Sequence, residues 1–317
     1  MPPKPRSVKL GRMSQNFGHQ DLLVTLDQPK KDWDSKNRPK NTHLGQLKLL
    51  LGELAFLLDF VDDLANVTLV YAGAAPGQHI KAVAYLFPDL EMHLYDPAPF
   101  AIQETENIHI YQSYFTDEIA EKWANVEKVL FVSDIRSGGD TRDEFEEEVH
   151  RNMMMQEKWV RIIKPERFSL KFRIPYTVIE RGEKYKYLGG TLIYQAYPKA
   201  DSMEMRLIGD EENATNPNVV YDSINLEKIL FYHNSTIRPL RTFYTNVTTR
   251  DNTEYPSTSG LYRDYDSSYF LFTVIRYLEK SSPSMMEMKE KNVLALADKL
   301  LFLTYGSKFD LHFRRNN

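Results

Sequence analysis

The chain of 317 residues contains no cysteine. That excludes disulfides and thiolate metal clusters, and it fits a reducing compartment. Long apolar runs are missing too. The run around Leu54–Leu58 is cut by Asp59, far short of the ~20 apolar residues a membrane span needs. The first residues, Met1-Pro-Pro-Lys-Pro-Arg, lack the apolar segment of a secretion signal. Positive charge is not in excess: the net charge is −4 and the pI about 6.1, so RNA binding would require a local basic patch. The expectation is a soluble, cytoplasmic protein without a membrane partner.

Hydrophobic residues make up 42% of the chain, enough for one substantial core. Residues 1–42 carry nine Lys/Arg against four Asp, with prolines at 2, 3, 5, 29 and 39, and read as a basic N-terminal arm. Such an arm is either a partly ordered tether or a surface for RNA or a partner. Residues 43–317 read as a single domain, of which about 210–317 form a helical C-terminal extension.

Leucines at 47, 50, 51, 54, 57, 58 and 64 predict a helix over 43–65. Strands are predicted at 67–72, 91–95, 107–111, 128–133, 168–174, 188–197 and 203–208. Helices are predicted at 77–87, 116–124, 141–163, 223–232, 264–280 and 284–303, with a polar loop over 246–260. The acidic run Asp143–Glu148 reads as a solvated face with favourable first-turn charge, and no metal is expected. Alternating strands and helices imply an α/β fold: a Rossmann-like, mostly parallel central sheet with helices on both faces.

Leu69-Val-Tyr-Ala-Gly-Ala-Ala-Pro-Gly-Gln-His-Ile80 is an apolar strand that enters a small-residue turn and opens a helix. In doubly wound sheets that turn binds nucleotide-like ligands, and Gly73 and Gly77 allow close backbone approach. Asp96, nineteen residues beyond Gly77, ends the next strand, where a carboxylate can accept ribose hydroxyls. The turn is not GxGxxG, and Pro76 removes an amide that a pyrophosphate would use. Both features favour S-adenosylmethionine over NAD. The bland alternative is a plain strand–helix turn.

Four charges sit awkwardly among apolar neighbours: Lys48 in the leucine-rich helix, Asp134 after Val129–Ser133, Lys171 in Phe168–Phe172 and Glu204 before Met205. Singly, each reads as an outward position on a half-buried element. Together, beside a cofactor turn, they read as chemistry.

The segments HLGQLKLLLGEL (43–54), VYAGAAPGQHI (70–80), SDIR (133–136), SLKFRIP (169–175) and SMEMRL (202–207) fall in one order and spacing. Over roughly 43–306 the chain resembles the poxvirus cap-specific 2′-O-methyltransferase family. Its members double as poly(A) polymerase regulatory subunits, within the FtsJ-like group that carries a Lys-Asp-Lys-Glu tetrad. The resemblance implies a catalytic tetrad of Lys48, Asp134, Lys171 and Glu204. It implies S-adenosylmethionine contacts at Gln46, Tyr71, Gly73, Ala75, Pro76, Gly77, Asp96, Phe115 and Asp134. Arg136, Arg173 and Arg206 would line an RNA path; each follows a tetrad residue by two and would share its face on a strand.

For a cap guanine the resemblance implies an aromatic at Tyr176 and a carboxylate at Glu227. A second family carboxylate falls on Val178, with Glu180 nearby but out of register. The arm's partner aromatic is Phe17 or Trp33, and a family arginine is replaced by Ala98. The implied partners are capped mRNA and a poly(A) polymerase catalytic subunit, in a large DNA virus of the cytoplasm whose protein is packaged in the virion. Three other readings remain open from sequence: a non-catalytic RNA-binding polymerase subunit, a ribose methyltransferase acting on internal sites, and a nucleotide-dependent dehydrogenase.

Overall fold

The computed structural model describes residues 15–34, 42–241, 243–245, 261–281 and 290–306. Its first half runs β1 (Gln15–Asn16), α1 (Gly45–Asp59), β2 (Thr68–Ala72), α2 (Ile80–Leu86), β3 (Glu91–Tyr95), β4 (Ile108–Tyr111), α3 (Asp117–Trp123), β5 (Val129–Ser133), α4 (Arg142–Ile163) and β6 (Arg167–Phe172). The second half runs α5 (Tyr176–Glu180), β7 (Tyr185–Tyr187), β8 (Thr191–Ile193), β9 (Met205–Asp210), α6 (Glu211–Thr215), β10 (Val219–Tyr221), α7 (Ser223–Tyr232), α8 (Arg238–Leu240), β11 (Phe243–Thr245), β12 (Leu261–Arg263), α9 (Tyr265–Ser281) and α10 (Glu290–Tyr305).

Seven strands form the central sheet in the order β4-β3-β2-β5-β6-β9-β8. Neighbours from β4 to β6 are parallel, whereas β9 runs antiparallel between β6 and β8. At the centre of the sheet β5 is buried throughout and β2 at all but Thr68, as a sheet covered on both faces requires. Alternation sorts the faces. Tyr71 on β2 meets His79 before α2, while Tyr95 on β3 takes a hydrogen bond from Trp123 of α3. Helices α1 and α2 therefore pack with α9 and α10 on one side, and α3 and α4 pack together on the other. The strand order reverses between β2 and β5, so a crevice opens at their C-terminal ends.

Several expectations hold to within a few residues. Thr141 caps α4 through a reciprocal pair with Glu144. The acidic run of α4 is not wholly a solvated face, however: Glu146 is buried and bonds Arg173. Of the single strand expected over 188–197 only Thr191–Ile193 forms, preceded by β7. Gly190 has φ +151°, and a Cβ there would lie 2.4 Å from the Ile208 carbonyl oxygen, so the chain turns sharply between β7 and β8. The C-terminal extension adds three short strands to its helices. The loop predicted over 246–260 and the start of the last predicted helix, 284–289, lie outside the described residues.

Part of the N-terminal arm is built into the fold. Val24 N–H donates to the Leu192 carbonyl and Tyr194 N–H to the Leu22 carbonyl, so the arm covers the open edge of β8. Phe17 packs edge-on against Phe243 and Tyr265, 5.3 Å away in each case. Residues 1–14 and 35–41 of the arm lie outside the described part.

Candidate active site

The crevice is lined by the turn after β2. Gly73 has φ +83°, and a Cβ there would sit 2.7 Å from the backbone nitrogen of Ile135, so glycine alone lets this turn pass the end of β5. Gly77 has φ +70°, and the Ala75–Pro76 peptide is cis. Asp96 follows β3 and accepts from the Ala75 N–H at 3.1 Å and the Ala98 N–H at 2.8 Å, which ties the two loops of the crevice together.

Beside this turn the four tetrad residues meet. Asp134 stands one residue after β5 and Glu204 one residue before β9. Lys171 on β6 lies directly across from Arg206 on β9. Like charges so placed repel unless anions intervene. Here both anions do. Lys171 Nζ donates to Asp134 Oδ2 at 3.0 Å and to the Asp134 carbonyl at 3.2 Å, with Glu204 Oε2 at 3.9 Å. Arg206 donates to Asp134 Oδ1 at 2.5 Å and to the Ser133 carbonyl at 3.0 Å. Lys48 reaches over from α1 to Glu204 Oε1, which also accepts from Gln195 at 3.1 Å.

Burial sets the electrostatics. It lowers the pKa of Lys171, helped by the like charges of Lys48 and Arg136 and opposed by Asp134 and Glu204. For the two carboxyls burial pulls upward, but the surrounding cations win. Lys171, Arg206 and Lys48 hold Asp134 below the usual carboxylate range and Glu204 well below it. A neutral Lys171 amine has two N–H donors, and Asp134 offers two acceptors within hydrogen-bond reach. The lone pair is left for an incoming proton.

Several of the expected contact residues are buried or already engaged. Tyr71 has no exposed surface and Phe115 almost none: Tyr71 lies behind the crevice wall, and Phe115 packs among Tyr95, Phe131 and Trp159. Neither side chain lines the crevice. Gln46 does not stand free, since its Oε1 lies 2.9 Å from His79 Nδ1 and accepts the His79 N–H at 3.3 Å. Arg206 is 2% exposed and belongs to the charge network. Arg173, past the end of β6, bonds Glu146 at 2.5 Å and stacks on Tyr176, 4.5 Å from its ring centroid. The guanidinium Nη atoms of Arg136 are buried with no partner among the described residues, and burial lowers its pKa.

Tyr176 is half-buried at the start of α5, its hydroxyl donating to the Asp201 carbonyl at 3.3 Å. Glu227 lies close enough for its charge to act on Tyr176; burial and Glu180 raise its own pKa, against Lys228. Val178 offers no carboxylate, and Glu180 is engaged by Arg142 at the surface. Phe17, buried in the C-terminal aromatic cluster, is unavailable as the arm's aromatic. Trp33 instead rests on Phe231 of α7 at 4.9 Å and keeps an exposed face.

Sequence reasoning missed the support behind the crevice. His79 Nε2 lies 2.9 Å from Glu53 Oε1, and both residues are buried. A carboxylate inside the apolar run Leu49–Leu58 was the available signal, because such a group needs a partner. Gln156 was likewise missed; it donates to the Lys171 carbonyl at 3.1 Å.

Sheet order, crevice and buried charges together define an α/β domain of the methyltransferase type. The chain belongs to the poly A polymerase regulatory subunit family, whose model matches residues 20–303. It is 29% identical over 255 residues to the cap-specific mRNA (nucleoside-2′-O-)-methyltransferase of fowlpox virus (strain NVSL), covering 70% of this chain and 81% of that protein. It is 30% identical over 217 residues to the protein of the same name from myxoma virus (strain Lausanne), covering 63% of each.

Proposed function

We propose that the protein methylates the ribose 2′-hydroxyl of the first transcribed nucleotide of capped mRNA, using S-adenosylmethionine. The observation that carries this reading is Lys171: a buried lysine of lowered pKa, held by Asp134 beside Lys48 and Glu204 at the mouth of the crevice. The residues fit the cofactor. The positive-φ glycines Gly73 and Gly77 shape the turn after β2 that faces the crevice, and Asp96 brings acceptor oxygens to the end of β3. Gln46, Ala75, Pro76 and Asp134 complete the set. When bound, S-adenosylmethionine supplies a methyl carbon activated by its sulfonium.

The chain's own residues then orient and deprotonate. The neutral Lys171 amine accepts the proton of the 2′-hydroxyl. Asp134 aims that amine, and Arg206 and Lys48 keep the nearby anions ionised, so neither carboxyl competes for the proton. Lys48 also stabilises negative charge developing on the ribose oxygen. The Arg136 guanidinium, whose Nη atoms have no partner among the described residues, is suited to an RNA phosphate. Tyr176 stacks on the cap guanine, whose N–H groups Glu227 accepts.

Incubation with labelled S-adenosylmethionine and three RNAs tests this: capped and unmethylated, uncapped, and capped with the first ribose already methylated. Label on the first RNA alone is the expected result. Equal label on capped and uncapped RNA would remove the cap pocket from the proposal, and no label on any RNA would remove the chemistry.

A second role as regulatory subunit of a poly(A) polymerase is favoured by the family the chain belongs to. It is also supported by an exposed aromatic patch, where Lys299 of α10 lies over both Tyr85 and Phe302, each about half exposed. Co-purification with a poly(A) polymerase catalytic subunit, weakened by Phe302→Asp, tests it.

A further inference from the structure

On the sheet face opposite the tetrad, three metal-ligating groups converge. The register pairs His93 on β3 with His109 on the edge strand β4, so both side chains rise from one face as direct neighbours. Glu91, two residues before His93, shares that face. His93 Nε2 lies 3.0 Å and His109 Nε2 3.5 Å from the same Glu91 oxygen, Oε1. The three ligand atoms all fall within 4.8 Å of one another. We infer that Glu91, His93 and His109 form a binding site for a divalent zinc-class ion, with a fourth position open to solvent.

The spacing argues for it. Bonds of about 2.0–2.2 Å to a tetrahedral ion place ligand atoms about 3.4 Å apart, and two of the three edges are close to that already. The orientation of His93 is fixed from behind. Its Nδ1 lies 3.1 Å from the Tyr111 hydroxyl, which leaves Nε2 for the ion, the arrangement expected of a ligating histidine and its supporting partner. The ring is further wedged against Trp123 of α3, at 4.7 Å between centroids. His109 and Glu91 are partly exposed, so an ion can reach the site and water can fill the open position.

Donor chemistry selects the class. Two imidazoles and one carboxylate suit zinc and its neighbours, whereas calcium and magnesium prefer oxygen throughout. The consequence is structural. An ion here ties edge strand β4 to β3, the strand that delivers Asp96 to the crevice.

The test uses the full-length protein stripped with chelator and zinc chloride as the probe, read by titration calorimetry and thermal melting. Co²⁺ follows as a spectroscopic substitute. One equivalent of zinc should bind and raise the melting midpoint, and Co²⁺ should give the visible absorption of a four-coordinate nitrogen/oxygen site. Glu91→Gln and His109→Gln alter partly exposed side chains and should leave the fold intact by circular dichroism. Each should weaken zinc binding by more than about tenfold and abolish the midpoint shift. No zinc uptake by the native protein would overturn the inference. So would uptake of undiminished affinity in both variants, which would locate the ion elsewhere.

Discussion

Two of the clusters of buried charge among the described residues are built differently. Arg238 and Asp266 meet where the C-terminal helices join the sheet, and every guanidinium nitrogen is bonded. Arg238 donates to both Asp266 oxygens at 3.0 and 2.8 Å, to Asn234 at 3.1 Å and to the Pro198 carbonyl at 3.3 Å, and the Tyr197 N–H completes Asp266 at 3.1 Å. That cluster is closed: two charges of opposite sign, each satisfied. The tetrad cluster is open. Lys48, Lys171 and Arg206 set three basic groups against Asp134 and Glu204, and burial favours the neutral form of Lys171, which can take a proton. A closed pair holds elements together. An open, unequal one stores the capacity to bind and react.

The comparison breaks if the two clusters respond alike to mutation. The largest effect is expected at Lys171. Lys171→Ala removes the proposed base and should lower the single-turnover rate of methyl transfer by on the order of 10²–10⁴. Stability should stay within about 1 kcal/mol, because Arg206 and Lys48 still compensate both carboxylates. Arg238→Ala should do the reverse. It strands Asp266 in the interior and should cost about 3–5 kcal/mol, read from the urea midpoint, with methyl transfer per folded molecule retained. A variant of Lys171 that destabilised as much as Arg238→Ala would erase the distinction.

The pH profile sharpens it further. Burial lowers the pKa of Lys171, and only the neutral amine is useful. The rate should therefore climb with pH and level off below the ordinary lysine value of about 10.4. Lys48 is one of the like charges that depress Lys171. In Lys48→Ala that push is gone, so the levelling point should move to higher pH even as the maximal rate falls. A shift to lower pH would contradict the assignment of Lys171 as proton acceptor. The closed cluster should contribute nothing to this profile.

Much of the open cluster was legible in the sequence, because a lysine in an apolar strand and a carboxylate at a strand end are visible without a structure. The glycine turn and Asp96 were legible for the same local reason. Arg206 was not. Its spacing from Glu204 suggests a shared outward face, but β9 begins at Met205, and antiparallel pairing sets Arg206 opposite Lys171. That register joins strands some thirty residues apart, and no local pattern encodes it. The setting of Tyr71 was not legible either: it sits in the cofactor motif, and alternation turns its ring inward to Glu53 and His79. The shortening of the strand expected over 188–197 to Thr191–Ile193, and the docking of residues 15–34 on the sheet edge, likewise depend on contacts with distant segments.

The smallest effect is expected at the rim, where neither kind of cluster has formed. Tyr176 and Glu227 are only partly buried, and Glu227 lacks a bonded cation of its own, with burial and Glu180 raising its pKa. Groups held this loosely contribute recognition and not chemistry. Tyr176→Ala should raise KM for capped RNA by about tenfold, the equivalent of about 1.4 kcal/mol from a lost stacking contact, and leave kcat unchanged. Uncapped RNA, if it is methylated at all, should show no difference between native protein and variant. Glu227→Gln should do the same more weakly, since an amide oxygen still accepts one guanine N–H. A fall in kcat in either variant would mean that the rim is coupled to Lys171. The line between the open cluster and its surroundings would then have to be redrawn through Arg173, which bonds Glu146 and stacks on Tyr176.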